Sequence, residues 1–176
     1  MRAVCYCRDC QAYARFLGTP GIVDENGGTE VVASLPKHLL FTGGLEVLAC
    51  MSLSERGILR WYADCCKTPV GNTPRNPKLP YVGVIHNCLE ARSPTVESSF
   101  GPLRLRVNTH SARTKIQSTP IASTVGVLTL MMSVLGGRLT GAHKINPFFM
   151  PDSGRPIRQP RVLSIAERAR VYRSDA

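Results

Sequence analysis

The chain has 176 residues and a net charge of +10, and 43% of its residues are hydrophobic while 19% are charged. This length fits one domain with a core of its own, and the hydrophobic fraction excludes a disordered chain. The 15 glycines and 13 prolines favour short strands and turns over long helices.

The first predicted element is a short helix from Cys10 to Leu17, where good helix formers are followed by Gly18. Apolar and alternating runs then predict six strands, at residues 30–34, 38–41, 45–52, 58–63, 81–86 and 103–107. Two late helices are predicted at residues 121–135 and 164–172. Because strands dominate the first two-thirds, the sequence predicts a mainly β fold with helices in the C-terminal third.

We divide the chain into a β domain at residues 1–110 and an extension at residues 111–176, which is helical, extended and basic and packs on that domain. The apolar run at residues 121–135 is too short for a membrane span, which needs about 20 predominantly apolar residues. Serine and threonine interrupt it. We therefore expect a packed or interfacial helix and no membrane span.

Cysteine usage indicates the compartment and the chemistry. The seven cysteines are Cys5, Cys7, Cys10, Cys50, Cys65, Cys66 and Cys88. An odd number, with no secretory signal pattern at the start, argues against a disulfide scaffold and for a reducing, cytoplasmic environment. Cys50 and Cys88 each stand alone in an apolar run, as small core residues do.

Three thiols lie close together in the C-x-C-x-x-C segment from Cys5 through Cys7 to Cys10. A tight turn can aim their sulfurs at one point, and tetrahedral zinc needs sulfurs only roughly 4 Å apart. Arg8 and the positive end of the following helix favour the thiolate form. The spacing predicts a metal site with zinc as the ion, and a redox thiol pair is the alternative.

Three cysteines leave one position of a tetrahedral site to be filled. A structural zinc takes a fourth protein ligand there, whereas a catalytic zinc keeps the position for water or substrate. Candidate fourth ligands are Cys50, Cys65, Cys66 and His86. Adjacent side chains of a strand point to opposite faces, so Cys65 and Cys66 cannot easily chelate one ion together.

The basic excess lies in the second half of the chain. From Arg92 to Met150 the only acidic residue is Glu97, against seven lysines and arginines. Such a field attracts anions in general. No aromatic-rich RNA-reading strand and no recognition-helix pattern accompanies it, so we interpret it as a solvated basic surface rather than a nucleic-acid site.

Two segments resemble the glutathione-dependent formaldehyde-activating enzyme and centromere protein V family. The sequence C-Y-C-R-D-C-Q at residues 5–11 matches that family's C-H-C-x-x-C-[RQ], and R-W-Y-A-D-C-C-K-T-P at residues 60–69 is similar to its R-x-F-C-x-x-C-G-T-P. The resemblance covers roughly residues 3–110. The C-terminal third, including N-P-F-F at residues 146–149, looks like that of a bacterial subgroup of unassigned function.

The resemblance implies a β-tent of small antiparallel sheets in which Cys5, Cys7 and Cys10 hold a catalytic-type zinc. Its open position would accept a small thiol such as glutathione, and the implied activity is carbon–sulfur lyase chemistry on glutathione–aldehyde adducts. The family's second, structural zinc uses an upstream C-x-C and the C-x-x-C knuckle. No C-x-C precedes Cys5, and Ala63 replaces the first knuckle cysteine, so only Cys66 carries over as a metal ligand.

A different class of function also fits the sequence. The chain could be a non-catalytic zinc-binding module that contacts a partner through its basic C-terminal half.

Overall fold

The computed structural model describes residues 1–89, 96–117 and 120–173. Its strands are β1 (Arg2–Cys5), β2 (Thr29–Ser34), β3 (Leu48–Ser52), β4 (Leu59–Ala63), β5 (Pro69–Thr73), β6 (Val82–Ile85), β7 (Leu103–Val107) and β8 (Arg161–Val162). Its α-helices are α1 (Arg8–Leu17), α2 (Val96–Phe100), α3 (Pro120–Leu139) and α4 (Ile165–Tyr172). Short 3-10 turns lie at Pro36–His38, Leu45–Val47, His86–Leu89, Thr109–Ser111 and Ala142–Lys144.

The strands form one mixed sheet in the order β7-β1-β2-β6-β5-β4-β3-β8. The central pairs are antiparallel, and each edge strand pairs in parallel, β7 with β1 and β8 with β3. In the β1–β7 register, Cys5 lies opposite Val107. The chain leaving β1 therefore runs beside the chain leaving β7.

Helix α1 covers one face of this sheet. Its buried residues are Cys10, Ala12, Tyr13, Ala14 and Leu17, and all of them except Ala12 recur at the spacing of a single helix face. The Tyr13 hydroxyl donates a hydrogen bond to the Trp61 carbonyl oxygen at 3.1 Å, so the helix is anchored to β4 by a polar contact as well as by packing. Gly18 ends the helix in the left-handed conformation, with φ of +67°.

The C-terminal segment packs against the β-sheet. Phe148 is fully buried, and its ring centre lies 5.0 Å from that of Trp61. Strand β8 extends the sheet, and α4 contacts α1. The division of the chain at residue 110 stays a prediction, although these contacts place parts of the extension in the same core as the strands.

The predicted fold class is confirmed: the structure has a strand-rich sheet, a helix directly after the cysteine cluster, and helices in the C-terminal part. The strand predicted at residues 38–41 was wrong, because the chain makes a 3-10 turn at Pro36–His38 and Leu40 is 83% exposed. The strand predicted at 45–52 begins only at Leu48. None of the described helices, α3 included, is both long enough and apolar enough to cross a membrane.

Candidate metal centre

The end of β1 and the start of α1 bring the three clustered cysteines together. Cys5 is the last residue of β1, and Tyr6 continues the pairing by donating its N–H to the Val107 carbonyl at 3.0 Å. Side chains alternate along extended chain, so the Tyr6 side chain turns into the core while Cys5 and Cys7 face the other way. Cys7 then caps α1 and Cys10 lies in its first turn.

The three sulfurs lie within 4.8 Å of one another. Sulfurs around a tetrahedral zinc ion are separated by roughly 4 Å, so a small contraction would make them joint ligands. Cys10 is buried, and Cys5 and Cys7 are half-buried. The predicted convergence of Cys5, Cys7 and Cys10 is confirmed, and these residues could hold a metal ion.

Two nitrogen donors stabilise negative charge on these sulfurs. The backbone N–H of Cys10 donates to Cys7 Sγ at 3.4 Å, as in a helix N-cap. The Asn108 side-chain amide donates to Cys5 Sγ at 3.3 Å from the turn after β7. Asn108 has a φ of +57°, a left-handed conformation that asparagine tolerates better than most residues.

The thiol pKa values differ strongly across the cluster. Hydrogen bonds from Cys10 and Cys7 lower the pKa of Cys5, and Asn108 acts in the same direction. Hydrogen bonding to Cys5 and Cys7, together with burial, raises the pKa of Cys10. Without a metal ion, the cluster therefore concentrates its negative charge at Cys5, as expected when neighbouring thiols share protons.

Two further side chains border the cluster, the buried Arg60 and the half-buried Tyr81. Arg60 on β4 is 2% exposed, and its positive charge opposes the rise in the pKa of Cys10. Its guanidinium carbon lies 5.0 Å from the centre of the Tyr13 ring, and Nη1 donates to Asn72 Oδ1 at 3.4 Å. Tyr81 precedes β6, and burial, with the charges of Cys5 and Cys10, raises its pKa to about 12.

The four residues predicted as candidate fourth metal ligands do not lie beside the three clustered sulfurs. Cys66, predicted as a metal ligand, is exposed and its Sγ lies 3.1 Å from Thr68 Oγ1. Cys65 is also exposed, while Cys50 is buried in the core opposite Trp61. The His86 ring contacts the Glu30 carbonyl oxygen at 3.4 Å. Within the described part of the chain, no fourth cysteine, histidine or carboxylate joins the group of three.

Sequence reasoning missed Asn108 and Tyr81 as neighbours of the cluster, and it assigned no role to Arg60, although donors near Arg60 were considered for orienting a substrate. An arginine within the apolar run Leu59–Ala63 is a signal that could have pointed to a buried charge with a specific partner. Asn108 and Tyr81 carry no such signal, because only the pairing of distant strands brings them to the cysteines.

Comparison with known proteins gives one family. Residues 1–159, which include the whole cysteine cluster, match a family of unknown function, DUF6151. Neither the curated proteins nor the solved structures contain a match to this chain. The match spans most of the chain, and the protein therefore belongs to the DUF6151 family.

Proposed function

We propose that this protein binds zinc through Cys5, Cys7 and Cys10 and uses the remaining coordination position to bind a small thiol such as glutathione. The observation that carries the proposal is the convergence of three sulfurs with no fourth protein ligand among the described residues. Structural zinc sites are usually closed by four protein ligands, whereas catalytic sites keep one position open.

Zinc is proposed because of the donor set. Three thiolates are soft ligands that suit zinc, whereas magnesium and calcium prefer oxygen ligands. Three bound thiolates would give a zinc site one net negative charge. The buried cation of Arg60 next to Cys10 would balance that charge.

The resemblance to the formaldehyde-activating enzyme and centromere protein V family adds support from one backbone position. Lys67 stands where the family segment has glycine, and its φ is +56°. Glycine adopts this left-handed conformation most readily. The turn at residues 64–68 thus has a backbone that suits the family's glycine, although Ala63 and the exposure of Cys66 argue against the family's second zinc.

The proposed chemistry is that of a carbon–sulfur lyase acting on glutathione–aldehyde adducts. A zinc ion in the site would lower the pKa of a thiol substrate and hold it as the thiolate. Making the adduct joins that sulfur to the aldehyde carbon while the carbonyl oxygen takes up a proton, and breaking it reverses both changes. The Asn108 amide and the start of α1 would keep the cysteines oriented during this cycle.

A reducing compartment suits this proposal. All seven cysteines are free in the structure, and the cytoplasm maintains thiols in that state. We therefore propose a cytoplasmic location.

The test is to measure zinc content and glutathione binding on the same preparation. The proposal expects one zinc per chain and saturable binding of glutathione by calorimetry, with S-methylglutathione as the control that lacks a free thiol. Binding of glutathione but not of the methylated control would support thiol coordination. If the folded, zinc-loaded protein has no affinity for any small thiol, the proposed enzymatic function is wrong.

A non-catalytic zinc module is the second candidate, and the exposed basic side chains of β7 favour it. Arg104 and Arg106 alternate with apolar Leu103, Leu105 and Val107 and are exposed. Binding of a polyanion to such a surface would weaken steeply with salt. If the protein shows no salt-dependent association with heparin or an oligonucleotide, the proposal that this module binds polyanions is wrong.

A further inference from the structure

A second concave site lies outside the cysteine cluster. A cavity of about 450 Å³ opens between α1, the turn after β7 and the end of α4. Its charged lining groups are Arg8, Arg15 and Arg113, and the histidine His110 lies beside them. Such a volume is within the range of small-molecule sites, roughly 300–1,000 Å³.

The arginines converge because of the helical repeat and one tertiary contact. Arg8, Gln11 and Arg15 are spaced three and four residues apart, so they share one face of α1. Gln11 Nε2 donates to the Ser111 carbonyl oxygen at 2.9 Å, which fixes the turn after β7 against that face. Arg113 enters the same cavity from this turn.

Hydrogen bonds to backbone carbonyls hold two of the guanidinium groups in place. Arg15 Nη1 donates to the Val171 carbonyl oxygen at 2.7 Å, and Arg113 Nη1 donates to that of Glu25 at 3.3 Å. Arg8 stacks over the Tyr172 ring, with its guanidinium carbon 5.9 Å from the ring centre. Each guanidinium has five N–H donors, so donors remain for a ligand in all three.

The charge of the cavity is not balanced by its walls. In the described ranges, no aspartate or glutamate lines it. Asp9 contacts one lining residue, since it accepts a hydrogen bond from the Tyr172 hydroxyl. Three like charges in a partly enclosed space repel one another, and an anion held between them relieves that repulsion.

We propose that this cavity binds a small molecule that carries two negative charges on carboxylate or phosphate oxygens. Guanidinium groups match both kinds of anion through paired N–H donors. The proposal goes beyond the metal centre and does not depend on it, because none of the lining side chains is one of the three cysteines.

The experiment is calorimetric titration of the full-length, zinc-loaded protein with inorganic phosphate and, separately, with succinate as a dicarboxylate. We expect saturable binding of at least one of them. The anion that binds more tightly, phosphate or succinate, identifies whether the cavity prefers a phosphate or a dicarboxylate. Arg15→Gln and Arg113→Gln should each weaken binding roughly tenfold or more, since each removes charge-assisted hydrogen bonds. Arg8→Gln is the additional variant that loses no backbone hydrogen bond, and Arg138→Gln, on α3 outside the cavity, is the charge-matched control.

Two results would overturn the proposal. One is the absence of saturable binding of either anion. The other is an affinity that is the same in the wild type and the cavity variants, or that falls equally in Arg138→Gln. Equal affinity would place the anion elsewhere, for example directly on the zinc ion, and would leave the proposed thiol site standing. Loss of glutathione binding alone would leave the anion cavity standing.

Discussion

The guanidinium of Arg60 stacks over the ring of Tyr13 with 5.0 Å between its central carbon and the ring centre, and both side chains are almost wholly buried. No carboxylate is among the described contacts of Arg60. A buried cation without an acidic partner is costly. Arg60 opposes the rise in the pKa of Cys10, and in the proposed zinc-bound state the thiolate of Cys10 would compensate for this cation. The buried core and the metal centre would then depend on each other.

Replacement of Arg60 should therefore weaken metal binding although Arg60 is not a ligand. We expect Arg60→Met to lower zinc affinity roughly 10–100-fold, the usual range for residues that support metal ligands. Arg60→Lys keeps the positive charge and should lose less zinc affinity than Arg60→Met. Competition with a chromophoric chelator measures both. Unchanged zinc affinity in a folded Arg60→Met variant would show that the Arg60 cation does not support metal binding.

Replacement of a ligand should remove the ion. Cys10→Ser should reduce zinc from one per chain to a small fraction, because the remaining two thiols cannot hold it at micromolar protein. The matched change Cys66→Ser should leave the zinc content unaltered, since Cys66 is exposed and its thiol is hydrogen-bonded to the Thr68 hydroxyl. Zinc analysis by mass spectrometry decides both. Loss of zinc in Cys66→Ser would restore that residue as the fourth ligand.

Asn108 offers a test of the hydrogen bond to Cys5. Asn108→Gly removes the amide donor and tolerates the φ of +57°, whereas Asn108→Ala removes the donor and also strains the backbone. Both should bind zinc more weakly, by roughly tenfold, and only the alanine variant should also melt earlier. Calorimetric zinc titration and thermal melting give the two readouts. Wild-type zinc affinity in the glycine variant would show that this donor does not support the site.

Phe148 tests whether the C-terminal extension belongs to the core. Phe148→Ala should reduce the free energy of unfolding by about 3–5 kcal/mol, because a fully buried ring against Trp61 is lost. Met150→Ala, at a position that is 47% exposed, should change it by less than about 1 kcal/mol. Urea denaturation followed by Trp61 fluorescence measures both. An effect of Phe148→Ala as small as the one expected for Met150→Ala would mean that the extension contributes little to the fold.

Helix α4 should respond to acid through Glu167. The pKa of this carboxyl falls from 4.5 to about 2, because the backbone N–H and hydroxyl of Ser164 and the guanidinium of Arg161 stabilise its charge. A lowered pKa means that the stabilisation is complete above pH 4.5 and is lost as the pH falls through about 2. Relative to the intrinsic rate at each pH, amide exchange in α4 should accelerate over that range, and in Glu167→Ala, which removes the side-chain acceptor, it should already be faster at neutral pH. A Glu167→Ala variant with wild-type protection would contradict the capping role.

The local features of the molecule could be predicted from the sequence, and the long-range ones could not. Cys5, Cys7 and Cys10 converge through a strand end and one helical turn, both of which are encoded within a few residues. Strand β1 was not predicted because it overlaps the cysteine segment, and β5 was hidden by the turn-forming residues Pro69, Gly71 and Asn72. Asn108 and Arg60 reach the cluster only through the order of the strands, which no local pattern encodes.

The proposed zinc ion would be surrounded by the sulfurs near the start of the chain and would keep one free position. Diffraction from a crystal at energies on both sides of the zinc absorption edge would reveal this arrangement. We predict a single anomalous peak bounded by the sulfurs of Cys5, Cys7 and Cys10, with a non-protein atom as the fourth neighbour. A fully folded protein with no peak among these sulfurs, or a peak closed by a fourth protein side chain, would contradict this prediction.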